Sequence, residues 1–319
     1  MQLHRREFLK LSAAMAGLLG ATPPTVEVRN EIPYRVLGET GEKVSLLAVG
    51  GSHIGENSLT DEEAVRLMRT AVDEGVNFFD NAWIYKGGRS EERMGLALRD
   101  GYRDKVFLMT KQYTNERDAE SVMPQLEQSL RRLQTDRIDL YQVHQIHEPD
   151  HARKVYENGI PEILVKAREQ GKIRYIGFTG HSRPEFHREM IDRGFQWDTV
   201  QMPVNPMDHF WTSFEDSILP LALQRKIAVI GMKSLGGSPG RIANDTTGLT
   251  AEECLRYAMS MPVATVVSGM DSMQWLHENI RIARSFRPLE EAEIDQIRAK
   301  AQPSAMGGAC EPYKWKELA

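Results

Sequence analysis

The chain reads as an α/β protein, a closed (β/α)8 barrel of the TIM type with an N-terminal β-hairpin, and three observations predict it. Short apolar runs that can be strands alternate eight times with segments of helical periodicity. These runs are continuously apolar, as parallel strands covered on both faces require, rather than alternating apolar and polar. After the first run, "VGGSHIG" has glycines at 50, 51 and 55, which is not the GxGxxG spacing that the alternative, an open doubly wound sheet, would carry.

The elements follow in order. "HRREFLK" and then "LSAAMAGLLGA" give a basic start and an apolar run of signal-peptide length, too short to remain as a membrane anchor. Arg5 and Arg6 with Phe8, Leu9 and Lys10 resemble a twin-arginine export signal, with His4 where Ser or Thr is usual. Residues 1–21 are therefore expected to be a signal, cleaved near Ala21 in an exported or periplasmic protein, and 22–33 a leader. "YRVLGETGEKVS" with a turn at Glu39, Thr40 and Gly41 predicts the hairpin that closes the barrel floor.

Strands are predicted at 44–50, 76–80, 106–110, 138–144, 173–179, 198–202, 227–232 and 264–269. Helix starts are marked by Thr60 with Glu63, by Ser90 ahead of Glu91 and Glu92, and by Thr250 with Glu253. Helix stops are marked by Gly75, Gly101, Gly171 and Gly194. The barrel is expected over 34–285, with 286–319 as a C-terminal helix and a tail packed on it.

Composition narrows the function. At 319 residues, 41% hydrophobic and with a net charge of -5, the chain has the core of a globular protein and no basic surface to select nucleic acid. Cys254 and Cys310 are far apart, and His144 with His147 lacks further ligands nearby, so no metal site is expected.

Chemistry in such a barrel collects where strands end and the following loops begin. Asp80 ends the second predicted strand, Lys111 follows the third, His144 ends the fourth, and Tyr85 lies in the loop after Asp80. A phenol is a poor acid near pH 7, and an ammonium beside it would lower its pKa. Asp80 would fix and charge Lys111, Lys111 would tune Tyr85, and His144 would donate to a carbonyl oxygen as charge develops there. That set describes a proton donor for carbonyl reduction.

These residues stand within "FFDNAWIYKGGRSEERMGLAL", "VFLMTKQ", "DLYQVHQIH", "IRYIGFTGHS", "VQMPVNPMD", "GMKSLGG" and "SGMDSMQWLHENI", and in this order the chain resembles the aldo-keto reductases from about residue 34 to 285. The resemblance implies that Asp80, Tyr85, Lys111 and His144 are a catalytic tetrad acting with NADP(H), or NAD(H), and no metal. It puts Thr179 and Gln201 at the nicotinamide carboxamide, with Gly180 where many members have Asn, so that bond is lost or moves to His181. Met232 takes the place of a stacking tyrosine. Ser234, Leu235 and Gly236, and Gly269 to Ser272, fall at the pyrophosphate and ribose, and Glu278 and Asn279 at the adenine. Gly269 and Trp275 stand where a Lys and an Arg often hold the 2′-phosphate, with Lys233 and Arg281 near enough in sequence to compensate.

His53, Trp83 and Trp211 are the candidates for the substrate mouth, and an indole-lined mouth suits a sugar or a related carbonyl or alcohol. The tail "GGACEPYKWKELA" either folds over that mouth or covers a helix. The alternative function is a non-catalytic, nucleotide-binding sensor or auxiliary subunit of the same fold, which would need the pocket but not the acid. A lyase or hydrolase would need a carboxylate pair or metal ligands at the rim, and none is found there.

Overall fold

A computed structural model describes residues 23–113, 118–237 and 241–315; the expected signal, 1–21, lies outside these residues. Eight parallel strands close into a barrel: β4 Leu47–Gly50, β5 Phe78–Asp80, β6 Phe107–Tyr113, β7 Ile138–His144, β8 Ile173–Thr179, β9 Thr199–Pro203, β10 Ala228–Met232 and β11 Thr265–Gly269. Each pairs with its chain neighbour, and β11 returns to β4, with Val49 beside Ser268, so no edge is left open.

Three further strands, β1 Glu27–Arg29, β2 Ile32–Val36 and β3 Lys43–Ser45, form an antiparallel sheet at the floor. The expected hairpin is β2 and β3, closed by Leu37 N–H on Glu42 at 2.8 Å. Two boundaries differ from expectation. Residues 27–33, expected as leader, belong to this sheet, because Glu27 to Arg29 pair with Ile32 to Tyr34. The apolar run at 44–50 is split: its first two residues end β3, Leu46 bends the chain, and Leu47–Gly50 form β4.

The barrel interior follows from the two-residue period of a strand. Leu37 and Val44 from the floor cluster with Ala48, Phe78, Phe107, Met109, Leu140, Ala228 and Ile230, and the rings of Phe78 and Phe107 stack at 5.2 Å. Two residues further along β5, β6 and β7 stand Asp80, Lys111 and Gln142, so the same inward rows that are apolar at the floor become polar at the top.

The other rows pack beneath the helices. Helix Asp61–Asp73 buries Ala64, Leu67, Met68 and Ala71, one stripe at helical spacing, behind a capping box of Thr60 and Glu63. A second capping box, Thr250 with Glu253, starts helix Ala251–Ser260. The expected cap at Ser90 is not one: helix Arg89–Ala97 begins before it, and the Ser90 hydroxyl donates to the Gly51 carbonyl at 2.6 Å. Helix Glu291–Ala305 follows the barrel, and the tail then crosses its top. Among the described residues no helix is long and apolar enough to cross a membrane.

Candidate active site

Asp80, Lys111 and His144 end up 3%, 1% and 8% exposed at the top of the barrel. Lys111 forms a close ion pair with Asp80 Oδ1 and donates to the Asn81 carbonyl at 2.7 Å. The other oxygen of Asp80 accepts from Gln201 Nε2 at 2.7 Å. A buried ion pair is tolerable only when its remaining valences are filled. Here both carboxylate oxygens are engaged.

Tyr85 sits on a short helical turn, Tyr85–Gly88, entered through its N–H bond to the Ala82 carbonyl at 3.0 Å. Its ring meets the His144 imidazole edge-on, centroids 5.9 Å apart, and Lys111 Nζ lies 5.2 Å from its centroid. The fold thus brings the four residues expected as a tetrad into one cluster. Tyr113, at the end of β6, also lies against His144 at 5.9 Å. The sequence reading missed it because an aromatic two residues past Lys111 carries no signal distinct from core packing.

One electrostatic expectation is corrected. Burial pushes the Tyr85 phenol well above its ordinary value, and the charge of Asp80 adds to the rise. Lys111 does not lower it, because its ammonium is engaged by Asp80, and burial lowers the pKa of Lys111 in turn. The unliganded site therefore holds a fully protonated phenol, which is the form an acid needs at the start of a reduction.

The groups expected at the cofactor lie along the adjoining strand ends. Thr179 closes β8 and is 1% exposed, and Met232 closes β10. Two buried polar atoms here have no partner: Gln201 Oε1 and Ser234 Oγ. An orphaned buried acceptor and an orphaned hydroxyl are costly unless a ligand completes them, and a carboxamide N–H and a phosphate oxygen fit these two. Leu235 and Gly236 turn the chain after β10, with Gly236 N–H on the Lys233 carbonyl at 2.8 Å.

Ser272 caps helix Met273–Arg284 by accepting from Trp275 N–H at 3.3 Å. Asn279 donates to Ser268 Oγ at 2.9 Å and so is pinned to β11, while Glu278 is half-buried beside it. Gly269 is packed against the His53 ring: a Cβ there would lie 2.0 Å from Nδ1, so His53 stands beside the end of β11. Arg281, a candidate for a 2′-phosphate, is engaged by Glu252 at 2.9 Å.

The remaining expectations divide. Trp83 faces a helix: its indole N–H donates to Gln128 at 2.6 Å, and the Arg132 guanidinium lies over its ring, both on Ala119–Leu133. Trp211 lies against Gly308 of the tail, and its carbonyl accepts from Lys314 at 2.9 Å. His147 takes no part in the cluster; its Nδ1 is 3.0 Å from the Gln145 carbonyl and its ring abuts His151. His181 Nδ1 is 3.4 Å from the Tyr313 carbonyl, and burial keeps its imidazole neutral, with a pKa well below the usual value.

The tail thus crosses the mouth. Lys314 joins Asp208 at 2.7 Å and Glu311 at 2.8 Å in a buried cluster, and Asn205 donates to Glu311 and to Tyr313 Oη at 2.9 and 3.1 Å. The sequence leaves this tail open, since its order depends on Asp208 and Asn205, more than a hundred positions away, rather than on any local period.

A family model described as the aldo/keto reductase family matches residues 46–247, well over half of the chain. The aldo-keto reductase YhdN of Bacillus subtilis is 33% identical over 214 residues, which are 63% of this chain and 62% of that protein. The 6-dehydroglucose reductase of Novosphingobium aromaticivorans is 30% identical over 227 residues, 67% of this chain and 72% of that protein. Among solved structures, an aldo-keto reductase from Bacillus halodurans superposes with a TM-score of 0.72 at 24% identity, covering 88% of this chain and 100% of that one, a likeness of fold.

Proposed function

The chain belongs to the aldo/keto reductase family, and from that premise we propose that it is an oxidoreductase that reduces a carbonyl, or oxidises the corresponding alcohol, with a nicotinamide nucleotide. The observation that carries this reading is the cluster itself: a protonated phenol, a buried ammonium and an imidazole converge where a carbonyl oxygen would be protonated. The nucleotide, when bound, supplies the hydride. Tyr85 gives the proton to the developing alkoxide, the Lys111–Asp80 pair holds the polar floor beneath it, and His144 orients the oxygen.

Gln201 Oε1 and Thr179 are the residues to hold a carboxamide, and Ser234 with the turn through Gly236 the residues to hold a phosphate. NADP(H) is the preferred nucleotide of this reading and NAD(H) the second. A sugar-type carbonyl is the preferred substrate, supported by the likeness to the 6-dehydroglucose reductase. The twin-arginine pattern at Arg5 and Arg6 supports export to the periplasm in folded form.

The test is turnover of small aldehydes, aldoses included, followed at the nicotinamide absorbance with NADPH and with NADH. Oxidation of either nucleotide, dependent on an aldehyde, is expected. Nucleotide binding without turnover of any aldehyde would instead favour the sensor role.

A further inference from the structure

The turn that carries the acid does not hold its own shape. After Tyr85 the backbone is left-handed at three successive residues, Lys86 at φ 51°, Gly87 at φ 66° and Gly88 at φ 99°. A lysine adopts that region at a cost, so such a run persists only where its surroundings hold it. Within the turn, Tyr85 N–H bonds to the Ala82 carbonyl at 3.0 Å and Gly87 N–H to the Ile84 carbonyl at 3.2 Å. The remaining support comes from elsewhere in the fold.

Arg132, on helix Ala119–Leu133, reaches this segment on both sides of Tyr85. Its Nη1 donates to the Trp83 carbonyl at 3.1 Å, and its Cζ lies 5.6 Å from the centroid of the Trp83 indole. The Trp83 N–H is tied in the other direction, to the Lys111 carbonyl at 3.0 Å, so the backbone at Trp83 is fixed between β6 and Arg132. Three residues after Tyr85, Gly88 packs directly on the same guanidinium: a Cβ there would overlap both Cζ and Nε. The guanidinium is anchored in turn. Glu91, which is fully buried, pairs with Arg132 at 3.3 Å and accepts from Thr110 Oγ1 at 2.7 Å. Thr110 precedes Lys111 on β6, and Glu91 stands in helix Arg89–Ala97, which starts directly after the turn. Two contacts support the opposite side: Lys86 with Glu56 at 2.6 Å, a largely solvated pair, and Arg89 Nε on the Gly55 carbonyl at 2.8 Å. Of these three cations, only Arg132 also reaches the residues before Tyr85.

We propose that Arg132 is a positioning residue for the acid: with Glu91 as its counter-ion, its guanidinium bridges the two ends of the turn that carries Tyr85 and so sets where the phenol stands against His144. The planar guanidinium suits this task, since it donates to a carbonyl and a carboxylate while the Trp83 ring and the Gly88 backbone pack on it. A lysine would keep the charge for Glu91 but is a point donor and cannot make all of these contacts. Arg132 touches none of the reacting groups, and its effect on the reaction passes through Tyr85.

This inference rests on the reductase reading, and the experiment separates the two. The single-turnover rate of nucleotide oxidation is measured with glyceraldehyde, xylose and 4-nitrobenzaldehyde for wild type, Arg132→Lys, Tyr85→Phe and the double variant, together with aldehyde KM, nucleotide Kd and thermal melting. Turnover of any of the three by wild type supports the reductase reading by itself; turnover of none fails that reading and this inference with it. The rate of Arg132→Lys is expected to fall about tenfold to a hundredfold, with KM and Kd within about threefold of wild type. In the Tyr85→Phe background the same substitution is expected to cost less than about threefold, because no acid is left to position. A full rate in Arg132→Lys, or a loss that adds to that of Tyr85→Phe, overturns the proposal and leaves the reductase reading standing. A nucleotide Kd weakened in step with the rate also overturns it and assigns Arg132 a general structural role. Should Arg132→Lys not fold, Arg132→Met with Glu91→Gln, which strands no charge, is carried through the same cycle against the same criteria.

Discussion

Gln201 on β9 donates to Asp80 on β5 at 2.7 Å, a bond between residues 121 positions apart that spans the top of the barrel. With Lys111 on the other oxygen, Asp80 links three strands, β5, β6 and β9, and sets where the ammonium stands beneath Tyr85. The pair is nearly dry, and removing one member leaves the other charge buried and uncompensated.

That relationship gives an energetic prediction. Asp80→Ala should destabilise the protein by about 3–5 kcal/mol, and Asp80→Ala combined with Lys111→Met should recover part of the loss, because no charge is then stranded. Chemical denaturation of the two single variants and the double variant measures it. A double variant whose loss equals or exceeds the sum of the two single losses would mean that the pair is not coupled as described.

The second prediction concerns the acid. Tyr85→Phe keeps the ring that lies against His144 and removes only the hydroxyl. Nucleotide affinity should be retained while kcat for carbonyl reduction falls by roughly 10²–10⁴-fold, the usual worth of a positioned acid. Near-full activity would take Tyr85 out of the mechanism.

A third prediction is a pH dependence of stability. His187 is fully buried between Phe178 and Phe214, and burial depresses its imidazole from 6.5 to about 4. Between those values the unfolded chain binds the proton and the folded chain does not, so the contribution is complete above about pH 6.5 and is lost as pH falls towards 4. The full span corresponds to about 3 kcal/mol. Urea midpoints for wild type and His187→Leu at pH 7 and pH 4.5 should show a smaller acid-induced drop in the variant. Identical drops would assign the acid sensitivity elsewhere.

The fourth prediction tests export. If Arg5 and Arg6 direct a folded protein across the membrane, replacing both by Lys should leave the enzyme in the cytoplasm, active and uncleaved. Fractionation and the N-terminal mass read the outcome, and unchanged export of the double variant would show that another route reads the segment.

The fifth joins export to cofactor. Free nicotinamide nucleotide is expected to be scarce outside the cytoplasm, so an enzyme exported folded should carry its nucleotide and hold it tightly. Mature protein purified without added nucleotide, then denatured, should release stoichiometric NADP(H) or NAD(H) identified by mass. Protein that emerges free of nucleotide and binds it only at about millimolar Kd, near -4 kcal/mol, would refute retention.

The sequence by itself determined the barrel and the candidate acid cluster, because both are written in local patterns. Continuous apolar runs interrupted by helical periodicity fix a parallel barrel, and strand ends place Asp80, Lys111 and His144 on one rim wherever the strands close. Ser90 shows where local pattern misleads: its sequence context is that of a cap, yet its hydroxyl is taken by a carbonyl 39 positions away. Trp83, equally plausible at the mouth, is turned towards Gln128, since a side chain's direction depends on neighbours that sequence order does not reveal. The tertiary structure alone decided the state of Tyr85, whose pKa follows from burial and from the charge of Asp80 nearby. It alone decided the course of the tail, which Lys314, Asp208 and Glu311 pin across the mouth. Desolvation and charge pairing are properties of three-dimensional neighbourhoods, which here residues more than a hundred positions apart supply.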